Sequence, residues 1–181
     1  GETDLRKVEH QNASSELPSD YEARFTYTTI GYNLKPLDMQ GALGLSQLGR
    51  IPQFTGMRQH NYSRLYQGLK KHEQYFVLPK ALPKADVSWF VFPLVVREDA
   101  PFERVHVTSH LEERKIETRP ILAGNIVRQP AYKNVEFQIR SDLVISDLIT
   151  RGGFFVGTWP GLGDPEIDYI LSVFDSFCMR Y

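Results

Sequence analysis

The chain has 181 residues, 41% of them apolar and 24% charged, and a formal net charge of −1. That length reads as one globular domain, or a domain plus an arm. Such a chain buries roughly 70% of the surface its unfolded form exposes, so neither a disulfide nor a structural metal is needed to hold a core. The lone cysteine, Cys178, with no Cys-His cluster, excludes a disulfide framework, a zinc ribbon and a self-contained iron–sulfur site, and makes a reducing, cytoplasmic setting the default. Near-neutral charge speaks against a domain that wraps nucleic acid. No apolar run approaches the roughly 20 residues of a membrane helix. The start, Gly1-Glu2-Thr3-Asp4-Leu5-Arg6-Lys7, lacks the apolar stretch of a signal peptide, so the chain reads as soluble.

Residues 1–20 are polar and weakly patterned and read as an arm or linker; the domain is expected over 21–181. Phe25-Thr26-Tyr27-Thr28-Thr29-Ile30 is β-branched and aromatic, and Gly31-Tyr32-Asn33 breaks it. Leu37, Gly41, Leu45 and Leu48 then recur at helical spacing, with small residues between them suited to close packing, which predicts a helix from about 37 to 49. After a bend at Pro52, Phe54, Met57, Asn61, Leu65 and Leu69 mark a second amphipathic helix that fades at Lys70-Lys71-His72. Residues 75–78 and 87–96 read as strands, the second apolar enough for burial on both faces, with an edge or bulge near Pro93. A helix over 103–115 with Val107 and Leu111 inward precedes a strand over 116–122. A short helix over 142–149 and a strand over 154–157 follow. Asp164-Pro165-Glu166 is a helix start, with Asp164 the N-cap candidate, and Ile167, Ile170, Leu171, Phe174 and Phe177 form the inward stripe. The order ααββαβαβα points to an α+β fold, a mostly antiparallel sheet packed with helices.

Three stretches have the wrong polarity for plain core. Gly31-Tyr32-Asn33-Leu34-Lys35 is either a turn closed by the Asn33 side chain or a set of donors for an anion. Residues 118–130 interleave Arg119, Asn125, Arg128 and Gln129 with apolar residues between prolines. They form either a solvated surface loop or one that presents guanidinium forks to phosphate or carboxylate. Gly157-Thr158-Trp159-Pro160-Gly161 is a rigid aromatic turn that packs the last helix or lines a site. His106 and His110 stand four apart but lack a third metal ligand, and read as solvated or half-buried helix residues.

These same stretches resemble a known family. Ile30-Gly31-Tyr32-Asn33-Leu34-Lys35-Pro36-Leu37-Asp38-Met39-Gln40, continuing to Gln47-Leu48, is similar to the Gly-Tyr-Asn segment of the pyridoxal-phosphate-dependent sugar aminotransferases and dehydratases. Ser88-Trp89-Phe90-Val91-Phe92-Pro93, Glu117-Thr118-Arg119, Ala123-Gly124-Asn125 with Arg128-Gln129-Pro130, and Gly157-Thr158-Trp159-Pro160-Gly161-Leu162 resemble the nucleotide-sugar 3-dehydratase branch. The resemblance implies the small C-terminal domain of a type I aminotransferase-like fold. It implies a place in an enzyme that removes the C3 hydroxyl of a nucleoside diphosphate 4-keto-6-deoxyhexose, with pyridoxal or pyridoxamine phosphate as the electron sink. The catalytic base, most of the phosphate cup and the carboxylate facing the pyridine belong to an N-terminal large domain, so no catalytic residue is expected here and the isolated domain should be inactive. Family members are homodimers in which the residue matching Asn33 reaches the cofactor phosphate of the partner subunit. The residues matching Arg119, Asn125 and Arg128 face the sugar nucleotide. One subtype holds a 2Fe–2S cluster through cysteines upstream of the Gly-Tyr-Asn segment; no cysteine occurs before Cys178, which favours the cluster-free type. The alternatives are a sugar aminotransferase domain and a non-catalytic module that dimerises or holds a nucleotide sugar.

Overall fold

The structure, a computed structural model, describes Tyr32 and residues 36–181 and divides into two units, Gly1–Leu45 and Ser46–Tyr181. Helix α1 (Asp38–Leu48) opens with the Gln40 side chain accepting from Leu37 N at 2.8 Å. None of its residues is buried, so the expected packing stripe of Leu45 and Leu48 is not a core face among the described residues. In the second unit, α2 (Ile51–Leu69) carries a proline in its first turn, where the missing N–H costs nothing, and runs on into a 3-10 turn over Lys70–His72. The strands are β1 (Phe76–Val77), β2 (Val91–Val96), β3 (Thr118–Pro120) and β4 (Gly153–Gly157). The remaining helices are α3 (Arg104–Glu113), α4 (Val144–Gly152) and α5 (Asp164–Cys178).

The strands form one antiparallel four-stranded sheet in the order β1-β2-β4-β3. Register explains the core. Phe92 faces Val156 and Leu94 faces Phe154 across β2 and β4, and Phe76 faces Val96, so one side of the sheet is a continuous apolar surface. Onto it pack Leu65 and Leu69 of α2, Val107 and Leu111 of α3, and Ile167, Val173, Phe174 and Phe177 of α5. The Phe174 ring stands at 90° to Phe76 with centroids 5.9 Å apart, the edge-on arrangement aromatic quadrupoles favour. Cys178 is buried in the same cluster, and burial pushes its thiol up to about 12, which leaves it unreactive.

Several sequence expectations shift here. β2 starts at Val91, and its opposite residues Val91, Pro93 and Val95 are only half-buried, so it is a one-faced strand. β1 reaches only Val95 and Val96; among the described residues Pro93 therefore has no strand neighbour on that side, and its missing N–H breaks no ladder bond there. α4 begins at Val144 because Asp142 accepts from Val144 N, at 3.4 Å, rather than entering the helix. At α5 the N-cap is Gly163, whose N–H is held by Glu166 at 2.9 Å. Asp164 instead pairs with His60 and Arg64 of α2, both at 2.7 Å. The two histidines of α3 do separate structural work. His106 Nδ1 accepts from Glu103 N at 3.0 Å, whereas His110 is buried and pairs with Ser176 Oγ at 3.0 Å.

Candidate functional site

Beyond β3 the chain must reverse at once, and two left-handed residues do it, Leu122 (φ 38) and Gly124 (φ 59). A Cβ at Gly124 would lie 2.6 Å from Thr150 Oγ1, so backbone conformation and space both demand glycine. That close approach lets Asn125 N donate to Thr150 Oγ1 at 2.6 Å. Asn125 is buried, and both ends of its amide are used. Oδ1 accepts from Val127 N at 3.3 Å, capping the 3-10 turn Ile126–Arg128, while Nδ2 donates to Asp147 Oδ1 at 2.7 Å. Arg128 meets the same carboxylate as a fork, Nε to Oδ1 at 3.2 Å and Nη2 to Oδ2 at 3.0 Å. Gln129 Nε2 closes the loop onto Ala123 O at 2.8 Å.

Asp147 is thus the anchor of the loop. Its carboxyl is held below the usual carboxylate range by the Arg128 hydrogen bond first and the Asn125 bond second, so it stays charged at neutral pH. The Arg128 side chain remains 62% exposed against 22% for Asp147, so the guanidinium is oriented by α4 and still presented outward. A free arginine would have to be ordered by the ligand. This one is already aimed, and less rotamer entropy is lost on binding.

Arg119 sits elsewhere on the same segment. It lies on β3 opposite Phe155, pairs with Glu117 Oε1 at 2.5 Å, and lines a cavity of about 440 Å³. The walls include Phe90, Phe155, Trp159, Tyr169 and Arg58. The Trp159 turn is fixed from behind. Asn61 Nδ2 donates to Trp159 O at 3.0 Å and to Leu162 O at 3.3 Å, and Thr158 Oγ1 donates to Trp89 O at 2.6 Å. Trp89 is itself stacked on Tyr62, 4.3 Å away and 5° from parallel. With its backbone held, Trp159 keeps a 66% exposed ring at the cavity wall.

Of the residues the sequence singled out, Asn125 and Arg128 converge on Asp147, and Arg119 faces a cavity whose lining includes neither of them. Asn33 lies outside the described residues. Sequence reasoning missed Asp147, Thr150, Asn61 and Arg58. The available signal was faint: Asp147 and Thr150 share one face of α4 at a spacing of three, beside apolar Ile145, Leu148 and Ile149.

The fold has counterparts among known proteins. A model of the DegT/DnrJ/EryC1/StrS aminotransferase family matches residues 6–175. The chain belongs to that family. The lipopolysaccharide biosynthesis protein RfbH of Salmonella typhimurium is 42% identical over 89% of this chain and 37% of its own length. The dTDP-4-dehydro-2,6-dideoxy-D-glucose 3-dehydratase of Saccharopolyspora spinosa is 41% identical over 91% of this chain and 35% of its own. Among solved structures, the E. coli GDP-4-keto-6-deoxy-D-mannose-3-dehydratase with bound hydrated PLP superposes with a TM-score of 0.76 at 29% identity, covering 84% of this chain and 39% of that one. The antiparallel sheet with its helices is therefore an aminotransferase-like small domain, and this family member spans less than half the length of the relatives it matches.

Proposed function

We propose that the chain is the C-terminal domain of a nucleoside diphosphate 4-keto-6-deoxyhexose 3-dehydratase that uses pyridoxal or pyridoxamine phosphate, and that it supplies sugar-nucleotide contacts without being catalytic alone. The observation that carries this reading is the Ala123–Pro130 loop, whose Arg128 is pre-aimed by Asp147 while Gly124 and Asn125 are locked to Thr150. The pre-organised Arg128 guanidinium, and separately an apolar cavity that carries Arg119, suit a ligand with a charged diphosphate and less polar rings. Two of the relatives described above are 3-dehydratases.

The described residues fit the substrate side of such a site. The residue assigned to the cofactor phosphate, Asn33, lies outside them. When bound, the cofactor supplies the electron sink that lets the C3 hydroxyl leave. What this chain adds is binding and orientation: Arg119 and Arg128 hold the sugar nucleotide, Asn125 and Asp147 fix the loop that carries Arg128, and the cavity walls keep water from the bound ligand. The complete enzyme works as a homodimer in the cytoplasm, with Asn33 reaching the partner's cofactor. No described helix is long and apolar enough to cross a membrane.

The test compares the isolated domain with the full-length protein. The isolated domain is expected to show neither cofactor absorbance nor dehydration, and the full-length protein both. A lysine-bound cofactor in the isolated domain overturns the reading. Full-length Asn33→Ala with wild-type cofactor affinity removes the role of Asn33. A full-length protein that binds a nucleotide sugar without any cofactor points instead to a non-catalytic binding module.

A further inference from the structure

Arg58 sits on α2, away from the loop that carries Arg128, and nothing in its sequence context marks it. Its Nε is buried without a hydrogen-bond partner. The guanidinium carbon lies 5.9 Å from the centroid of the Phe90 ring, and no hydrogen bond or ion pair joins the group to a described residue. Arg58 lines the 440 Å³ cavity together with Arg119, and also borders the neighbouring groove along Trp159. The buried Nε is left unmet at a cost in free energy, whereas Arg58 as a whole is only half-buried and its terminal nitrogens remain available to an incoming anion. The carboxylates on the wall are already engaged, Glu117 by Arg119 and Glu166 by the Gly163 N–H. Two aromatic rings beside the guanidinium, Phe90 and Trp159, are 71% and 66% exposed.

We propose that Arg58 is a phosphate-binding residue of this cavity: its terminal nitrogens take phosphate oxygens of a nucleoside diphosphate, while the face over Phe90 keeps the guanidinium plane fixed. This rests on the sugar-nucleotide reading above and adds to it a third arginine, carried by helix α2 and not by the loop motifs. The arrangement divides the labour. Arg128 is oriented by a carboxylate and Arg58 by an aromatic face, so among the described residues the Arg58 donors stay uncommitted.

The test uses the full-length, cofactor-loaded protein as wild type, Arg58→Met and Arg58→Lys, titrated calorimetrically with GDP, dTDP, guanosine and thymidine. Methionine retains an apolar stem over Phe90 and removes the charge. A charge-assisted hydrogen bond lost from a desolvated site weakens binding by about 10- to 100-fold, and that loss is expected for whichever diphosphate binds, with nucleoside affinity unchanged and lysine restoring part of it. Unchanged diphosphate affinity in a folded Arg58→Met protein overturns the proposal. So does an equal loss for diphosphate and nucleoside, which would make Arg58 a packing residue. If Arg58→Met does not fold, Arg58→Gln carries the same expectation. Wild-type protein that binds no nucleoside diphosphate, with CDP and UDP tried beside GDP and dTDP, refutes the sugar-nucleotide reading itself, an outcome distinct from a failure of Arg58 alone.

Discussion

Asp147 accepts both Nε and Nη2 of Arg128, at 3.2 and 3.0 Å, and the oxygen that takes Nε also takes the Asn125 amide at 2.7 Å. One carboxylate on α4 therefore sets the position of two residues that the sequence reading placed separately on the ligand. Asn125 caps the loop with its amide, and Arg128 is the group that faces outward.

Replacing Asp147 with Asn keeps the size and one acceptor but removes the charge that orients the guanidinium. In the full-length protein, Asp147→Asn is expected to raise KM for the sugar nucleotide about tenfold, the scale of one misplaced charged contact. A double-mutant cycle with Arg128→Met should show a coupling of about 0.5–3 kcal/mol. Additive effects would separate the two residues.

At Gly124 the constraint is steric and conformational together. Gly124→Ala forces a Cβ to within 2.6 Å of Thr150 Oγ1 at a φ of 59, and the expected cost is about 1–3 kcal/mol of stability, read from urea unfolding. A neutral result would mean that the loop is not held against α4.

Much of the fold could be read from the chain. Helices α2 and α5 bury stripes that recur every three or four residues, Leu65 and Leu69 in one and Ile167, Ile170, Phe174 and Phe177 in the other, and such long patterns admit one answer. The strand ends were less legible: the apolar run 87–96 has the same composition inside and outside the ladder, and only pairing with β4 stops β2 at Val91. At the site, the motif residues Arg119, Asn125 and Arg128 stood out by type. Their partner Asp147 did not, because it lies 22 residues from Asn125 and 19 from Arg128, and no local pattern joins them. Arg58 was hidden differently, since an arginine on a surface helix is ordinary until the burial of Nε is seen.

Phe174 lies at the centre of the helix layer, fully buried and edge-on to Phe76. Phe174→Ala is expected to cost about 3–5 kcal/mol, from lost transfer energy plus the cavity left behind. Thermal unfolding of the variant against wild type measures it, and a loss under about 1 kcal/mol would contradict the packing described.

His110 gives the protein an acid-side pH dependence. Burial, and then the nearby Arg114 and Arg180, hold its imidazole below the ordinary value. The unfolded chain therefore takes up a proton that the folded state refuses. The stability contribution is complete above about pH 6.5 and is lost as pH falls from there through the depressed folded value, by at most about 1.4 kcal/mol per pH unit. His110→Gln, which can still reach Ser176, should flatten unfolding free energy between pH 7.5 and 5.5. An unchanged slope would exclude His110 as its source.

The product separates the proposed 3-dehydratase from an aminotransferase. Full-length protein, loaded with cofactor and supplied with a nucleoside diphosphate 4-keto-6-deoxyhexose and an amino donor, is followed by mass spectrometry of the sugar nucleotide. Loss of the C3 oxygen with the C4 position returned as a ketone is the expected product. A 4-amino sugar that keeps its C3 hydroxyl would contradict it.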